Sequence, residues 1–468
     1  MDSDIAEKAL SYAEQKADYA EVRMEVSKSD GAILKNSDPV VINMGMSRGM
    51  CIRVLKAGCL GAAFVNNFSM NNIKAAVDQT LKTAGAAKKI LSEPVKMSKE
   101  KANKDKYEVR EKEKIDEIAV EHKLQSLIEI DKALLATKLK FMTRYFELST
   151  EHTQKYYCNS EGTRIQSSIP LVGLFYMISV KENNSIEQRM NQFGASGGWE
   201  QFVNWNLADT VSAEAKMLAK IAHAHSAPRE KTDVILSPEL VGIASHESCG
   251  HPYEADRILG REFAQAGGSF IKPEMIGTRI GSNAVTLVDD PTVENSYGFY
   301  LYDDEGVAAR RRYLIKEGMI NELLHNRETA ASLGAKSNGA ARANSWDAEP
   351  IVRMANTFVL PGDYTFEELT DVRKGIYIKS YMEWNIDDKR FNQRYVGLES
   401  YMIRNGELGE LVKRPAIEIT TPAFWQSVDA CGKGLEFTVG SCGKSDPMQG
   451  IPVCFGGPHV RLRNIILS

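Results

Sequence analysis

The strongest constraint on the fold is local, in the stretch Ser237-Pro238-Glu239 … Ser245-His246-Glu247-Ser248-Cys249-Gly250-His251-Pro252. Thr232 to Leu236 reads as a strand, Ser237 is a good helix N-cap, and Pro238 suits the first helical position. His246 and His251 therefore lie on, or at the end of, a helix. Their pattern, HExxxH, is one residue longer than HExxH, whose histidines share a helix face at i and i+4. Five α-helical steps leave two side chains about 140° apart. The imidazoles converge only where the helix is loosened, as in a π turn. Pro252 supplies a cause, since it lacks an amide donor and clashes with the carbonyl of Ser248. Gly250 makes the same turn permissive. The expectation is a distorted or terminating turn between His246 and Pro252, with both rings on one metal ion; the plainer alternative is two helix histidines that hydrogen-bond locally.

Two histidines do not complete a catalytic zinc site, which takes a third protein ligand and keeps a fourth position for water. The candidates are Cys249, Glu254, Asp256, Cys431, Cys442 and Cys454. Cys249, between the histidines, reads as a small core hydrophobe, and Cys431 and Cys454 read as strand core. Cys442 sits in Thr438-Val439-Gly440-Ser441-Cys442-Gly443-Lys444, where glycines allow close approach and Lys444 favours the thiolate. Cys442 ranks first on these grounds, and the others stay open.

Around this stretch the chain divides into three. Residues 1–92 alternate an amphipathic helix, short strands and a second helix with Ile73, Val77, Leu81 and Ala84 on one stripe. Residues 93–114, dense in charge and poor in aliphatics, read as a solvated linker. Residues 115–225 again combine helices with strands, and residues 226–468 are mostly strands joined by Gly-containing turns such as Tyr302–Gly306 and Arg404–Leu408. The fold class is α+β, with N-terminal helix/strand units followed by a large β-rich C-terminal domain. The 58 Lys and Arg against 62 Asp and Glu give a net charge of -4. That balance argues against a nucleic-acid binder and against a polybasic membrane anchor. No apolar run approaches the roughly 18 residues of a membrane span, and the acidic start, Met1 to Glu7, is not a secretory signal. An odd number of cysteines, seven, without a spacing framework predicts no structural disulfides. The expected location is the cytoplasm.

The segment His246 to Asp256 resembles the HExxGHxxExD stretch of TldD proteins, in the TldD/PmbA metallopeptidase family. Val288-Asp289-Asp290, Tyr302–Gly306, Lys316–Ile320, Ser337–Arg342, Arg353–Thr357 and Gly440–Lys444 agree with it in order. The resemblance spans essentially the whole chain and is strongest from about residue 230 onward; Pro252 departs from it, at a position where a less constrained residue is expected. It implies a zinc peptidase whose Zn2+ is held by His246, His251 and Cys442, with Glu247 as the catalytic base. It also implies small or unfolded peptide substrates, and a dimer, either a homodimer or a heterodimer with a metal-free TldE/PmbA-type homologue. This chain keeps the metal motif, so it resembles the catalytic partner.

On that reading Glu247 takes a proton from water and passes it to the leaving amine. Glu254 or Asp256 orients a ligand histidine, unless they are helix-surface charges. Tyr253 and His459 are candidate oxyanion donors whose plainer role is structural. An extended peptide adds as a strand to an exposed sheet edge. The competing expectations are a non-enzymatic, zinc-stabilised peptide-binding protein and a regulatory partner. A fourth protein ligand, for instance Cys249, would favour the first.

Overall fold

A computed structural model describes residues 3–88, 93–261, 267–445 and 447–468. Met1, Asp2 and residues 89–92, on which the expected acidic start and the end of the first unit partly fall, lie outside the described residues. Helices and strands are mixed, with strand predominating, as the α+β reading expects.

The N-terminal half is built on one seven-stranded sheet. Its strands run in the order Cys59–Val65, Asp38–Lys56, Tyr19–Lys35, Phe141–Asn159, Arg164–Glu182, and the last also pairs with Lys104–Glu108 and Ser185–Ser196. The first four ladders are antiparallel, and Tyr19–Lys35 pairs with Phe141–Asn159 across the expected unit boundary. Helices Ser3–Glu14 and Met70–Ala87 pack on one end of the sheet, over Val22, Met24, Ile52 and Val54. Helices Val120–Ala136 and Leu207–His223 pack on the other, over Leu34, Phe146, Leu174 and Ile178.

Two differences from the sequence reading have one cause. In the first unit, where short strands are expected, Asp38–Lys56 is a single strand of 19 residues, and Phe141–Asn159 in the second is as long. The charged stretch 93–114 contains a strand, Lys104–Glu108, parallel to Arg164–Ser168, while most of its side chains stay exposed. Ladder hydrogen bonds join backbones and need no apolar side chain on the way. A polar interval therefore interrupts a hydrophobic pattern without interrupting a sheet.

The C-terminal half encloses one large core between a six-stranded sheet, a seven-stranded sheet and a three-stranded sheet. The six-stranded sheet ends with Gln449–Gly457 and then Glu436–Lys444 at its edge. The three-stranded sheet starts at the edge strand Tyr381–Ile386. The Pro238–Ser245 helix follows the Lys231–Leu236 strand and lies against Gln449–Gly457. Gly242 makes that approach possible, because a Cβ there would stand 2.8 Å from the Gly456 nitrogen. Among the described residues no helix is long and apolar enough to cross a membrane, and all seven cysteines are unbridged.

Candidate metal centre

The helix opens as its sequence requires, with Ser237 Oγ accepting from the Leu240 N–H and Pro238 in the first turn. It then loosens where expected. Residues His246–Gly250 form a π turn, closed by the His251 N–H on the His246 carbonyl, and His251–Tyr253 form a 3-10 turn containing Pro252. The wide turn brings the two imidazoles together, with ring centroids 5.0 Å apart and planes at 79°. Ser248 is held from both sides: its Oγ donates to the Ala244 carbonyl at 2.6 Å and accepts from Trp425 Nε1 at 3.0 Å.

Cys442 arrives from the far end of the chain, on the edge strand Glu436–Lys444. Its Sγ lies 3.4 Å from His251 Nε2. One donor atom from each of His246, His251 and Cys442 lies within 4.8 Å of the others, and all three residues are buried. Donors held about 2.1 and 2.3 Å from a tetrahedral ion stand about 3.6 Å apart, so the His251–Cys442 pair has the span of a shared metal. His246 Nδ1 is buried without a hydrogen-bond partner, a ring nitrogen left over for some other bond. The donor set therefore fits a metal ion.

Electrostatics prepare the same atoms. Burial pushes both imidazoles down, His251 well below its ordinary value against the opposing pull of the Cys442 sulfur. Burial alone would raise the Cys442 thiol, but the adjacent His251 and then Arg353 bring it down to about 6. Both effects favour the ligating forms. Behind His251, its Nδ1 faces Glu254 Oε2 at 3.0 Å. Glu254 meets Lys444 Nζ at 3.2 Å, and Lys444 also donates to Asp256 Oδ1 at 2.6 Å and to the Val352 carbonyl at 2.7 Å. Lys444 shares its strand with Cys442, so one cation ties the two sides of the centre together. Arg353 donates to the carbonyls of Cys442 and Gln449.

Glu247 lies beside the cluster, and burial raises its carboxyl while Arg390 opposes the shift. Its Oε2 accepts from the Arg390 guanidinium. His246, Glu247, His251, Arg390 and Cys442 open on a cavity of about 610 Å³. Its walls are the N-terminal strand Ser185–Ser196 (Gln188, Met190, Asn191 and Gln192), the edge strand Tyr381–Ile386 (Tyr381 to Trp384) and the edge strand Glu436–Lys444 (Thr438 to Gly443). The last edge is open. Pro452, opposite Ser441, has no N–H, and its carbonyl is taken by Arg342 at 3.0 Å. That pair carries no ladder bond, so the Ser441 N–H and carbonyl point to the free edge. Alternation puts those of Val439 and Gly443 there too.

The remaining sequence candidates lie elsewhere. Cys249 and Cys431 belong to the core, the latter donating to the Ala284 carbonyl, and Cys454 accepts from the Tyr297 N–H at 3.2 Å. Tyr253 is buried in the core and His459 pairs with Tyr377 at 3.1 Å; neither lines the cavity. Sequence reading missed Arg390, which sits in the Asp387-Asp388-Lys389-Arg390 turn with nothing in its spacing to link it to Glu247.

A buried His-His-Cys cluster beside a carboxylate, in a cleft between sheets, has the donor chemistry of a metal-dependent hydrolase. The description "PmbA/TldA metallopeptidase C-terminal domain" matches residues 229–468, the corresponding central domain matches 113–222 and domain 1 matches 20–84. The chain belongs to the PmbA/TldD metallopeptidase family. It is 32% identical to a metalloprotease of Methanocaldococcus jannaschii, over 95% of this chain and 96% of that one. It is 25% identical to a "Zinc metalloprotease TldD homolog" of Saccharolobus solfataricus, over 96% of each. The crystal structure of TldE from Thermococcus kodakarensis shares the fold, with a TM-score of 0.75 and 18% identity over 99% of this chain and 100% of that one.

Proposed function

We propose that this protein is a zinc-dependent peptidase that hydrolyses small or unfolded peptides, with His246, His251 and Cys442 holding the ion and Glu247 as general base. The observation that carries the reading is the convergence of three donors beside the Glu247 carboxylate, itself paired with Arg390, on one cavity. A bound zinc ion would polarise the scissile carbonyl and make water acidic enough to lose a proton near neutral pH. Glu247 takes that proton and delivers it to the leaving amine. Glu254 fixes the tautomer of His251 by accepting from Nδ1. The open edge at Val439, Ser441 and Gly443 binds an extended peptide through main-chain hydrogen bonds, which tolerates many sequences and requires an unfolded substrate. A fourth protein ligand such as Cys249 would favour the non-enzymatic alternative, and the Cys249 thiol packs in the core.

The reading includes a dimer and a cytoplasmic location. The long strand Asp38–Lys56 supports the dimer: Val40, Ile42, Met44 and Met46 are exposed, Met44 by 77%, on a stretch that Cys59–Val65 does not cover. An uncovered apolar edge of this kind is a pairing surface. Native mass, measured alone and with a metal-free relative, decides between homodimer and heterodimer.

The deciding experiment combines metal analysis with cleavage of an unstructured peptide. Wild type carries one zinc per chain and loses cleavage to a chelator. Glu247→Gln keeps the metal and loses activity by about 10²–10⁴-fold. Cys442→Ser loses metal affinity, while Cys249→Ser and Cys454→Ser do not. Full zinc and full activity in Cys442→Ser would remove the ligand set and the reading with it.

A further inference from the structure

One charged group in the cavity is left without a task by the proposed reaction. Among the described residues Arg390 is the single Lys or Arg that lines the cavity. It projects from the turn between the Tyr381–Ile386 and Asn392–Gly397 strands, and one arm of its guanidinium engages Glu247. The planar group has five N–H donors in a fixed fork. Its Nε is buried and has no hydrogen-bond partner.

The backbone is built to hold it there. Arg390 has φ +65°, a left-handed conformation that only glycine adopts freely. Its N–H donates to the Asp387 carbonyl at 2.8 Å, and its own carbonyl accepts from Thr421 Oγ1 at 2.8 Å. The Asp387 carboxylate gathers the Phe391 and Asn392 N–H groups at 2.8 and 3.1 Å. Phe391 packs edge-on to Phe270 at 5.5 Å. The turn is thus pinned from several sides, which fixes where the charged end of Arg390 stands in the cleft.

We infer that Arg390 is a further catalytic residue, the donor that receives the scissile carbonyl oxygen as it becomes an oxyanion. The inference rests on the peptidase reading above. In the resting site the guanidinium charge is balanced by the Glu247 carboxylate. When water attacks, its oxygen bonds to the carbonyl carbon, the carbonyl π pair moves onto oxygen, and Glu247 accepts the water proton. The carboxylate loses its charge as the oxyanion gains one, so the field of Arg390 is released to the oxygen at that moment. Collapse returns the electron pair, breaks the C–N bond, and sends the proton from Glu247 to the amine, which restores the ion pair. An interaction cancelled in the ground state and available in the transition state lowers the barrier without tightening substrate binding. The two donors suggested by sequence, Tyr253 and His459, do not reach this cavity.

The test uses the zinc-loaded full-length protein, an unstructured peptide substrate, and a phosphinic pseudopeptide whose tetrahedral anion mimics the oxyanion. Arg390→Ala is expected to keep its zinc and lower kcat by about 10²–10³-fold, with KM within about threefold of wild type. Added guanidinium ion restores part of the rate. Arg390→Lys, which keeps the charge and checks against misfolding, falls between. The phosphinic pseudopeptide weakens by a similar factor, and does so again when Arg390→Ala is made in a Glu247→Gln background. Wild-type kcat in either Arg390 variant, or a change in KM alone, overturns the role. A loss of pseudopeptide affinity that disappears in the Glu247→Gln background overturns it too, because Arg390 would then only position the base. A zinc-loaded wild type that cleaves no peptide sinks the peptidase reading itself, whereas an active wild type with an indifferent Arg390→Ala sinks only this inference.

Discussion

Glu254 and Lys444 show how the proposed metal centre extends past its candidate ligands. Neither lines the cavity, yet the carboxylate sits on His251 Nδ1 and the ammonium neutralises the carboxylate from the Cys442 strand. Partners of this kind typically account for 10–100-fold in metal affinity. Lys444→Met takes the ammonium from two buried carboxylates, leaving Glu254 the Arg257 guanidinium at 3.7 Å, and is expected to weaken zinc by about that factor, read by competition with a chelator of known affinity, while the three candidate ligands remain. The pH behaviour follows from the ligands themselves. Cys442 in the folded chain sits at about 6, below its ordinary 9.0, so between those values the folded state binds fewer protons than the unfolded state. Stability of the metal-free protein therefore rises with pH across that window and is lost as pH falls through about 6. The buried imidazoles, also depressed, act in the same sense below 6.5. Thermal midpoints of chelator-treated wild type and Cys442→Ala are expected to converge towards pH 6 and separate towards pH 9. Equal pH slopes in the two proteins would contradict this.

The element that decides the site is the π turn at His246–Gly250. Its legibility came from one conflict, histidines at i and i+5 next to a proline, which an unbroken α-helix cannot reconcile. What holds the turn was not legible, since Trp425 and Met354 approach it from distant segments. A Cβ at Gly250 would stand 1.8 Å from Met354 Sδ. Gly250→Ala is expected to cost about 1–3 kcal/mol from overpacking and to lower zinc occupancy as the turn shifts. Adding Met354→Ala should recover part of both, measured by thermal unfolding and metal content. No recovery would mean that the glycine serves the backbone and not the space beside Met354. Several motifs that carry the family resemblance turn out to be architecture of the same kind. Asp289 is salt-bridged to the buried Arg312 and accepts from the Ala355 N–H, and Asp303 accepts from the Glu305 and Val307 N–H groups to shape its turn.

On the scale of the molecule, the cleft exists because three sheets bring edges to one place. The N-terminal strand Ser185–Ser196 forms one wall, and Arg189 ties it to the C-terminal half by a two-pronged bond to Glu239, at 2.8 and 2.7 Å, in the first turn of the helix that leads to His246. Arg189→Met leaves that carboxylate without its cation, with the Tyr381 N–H at 3.3 Å still donating to it, and is expected to cost about 1–3 kcal/mol. It should raise the KM for a peptide more than it lowers kcat, because the wall moves while Glu247 and the donors stay. Steady-state kinetics beside a melting curve check this; a fall in kcat at unchanged KM would show that the tie serves the chemistry directly.

The strand, cap, helix and loosened turn around His246 and His251 follow from neighbouring residues alone, because caps, prolines and side-chain spacing act over a few ångströms of chain. So does the α+β character, which is written in the alternation of apolar residues. The closeness of Cys442 to His251, the arrival of Arg390 at Glu247, the union of the first two expected units in one sheet and the strand hidden in a charged stretch all depend on segments far apart in sequence. Those arrangements are set by backbone pairing and by the closing of one core between sheets. Such forces leave no mark at any single position, and only the folded chain decides where they bring residues together.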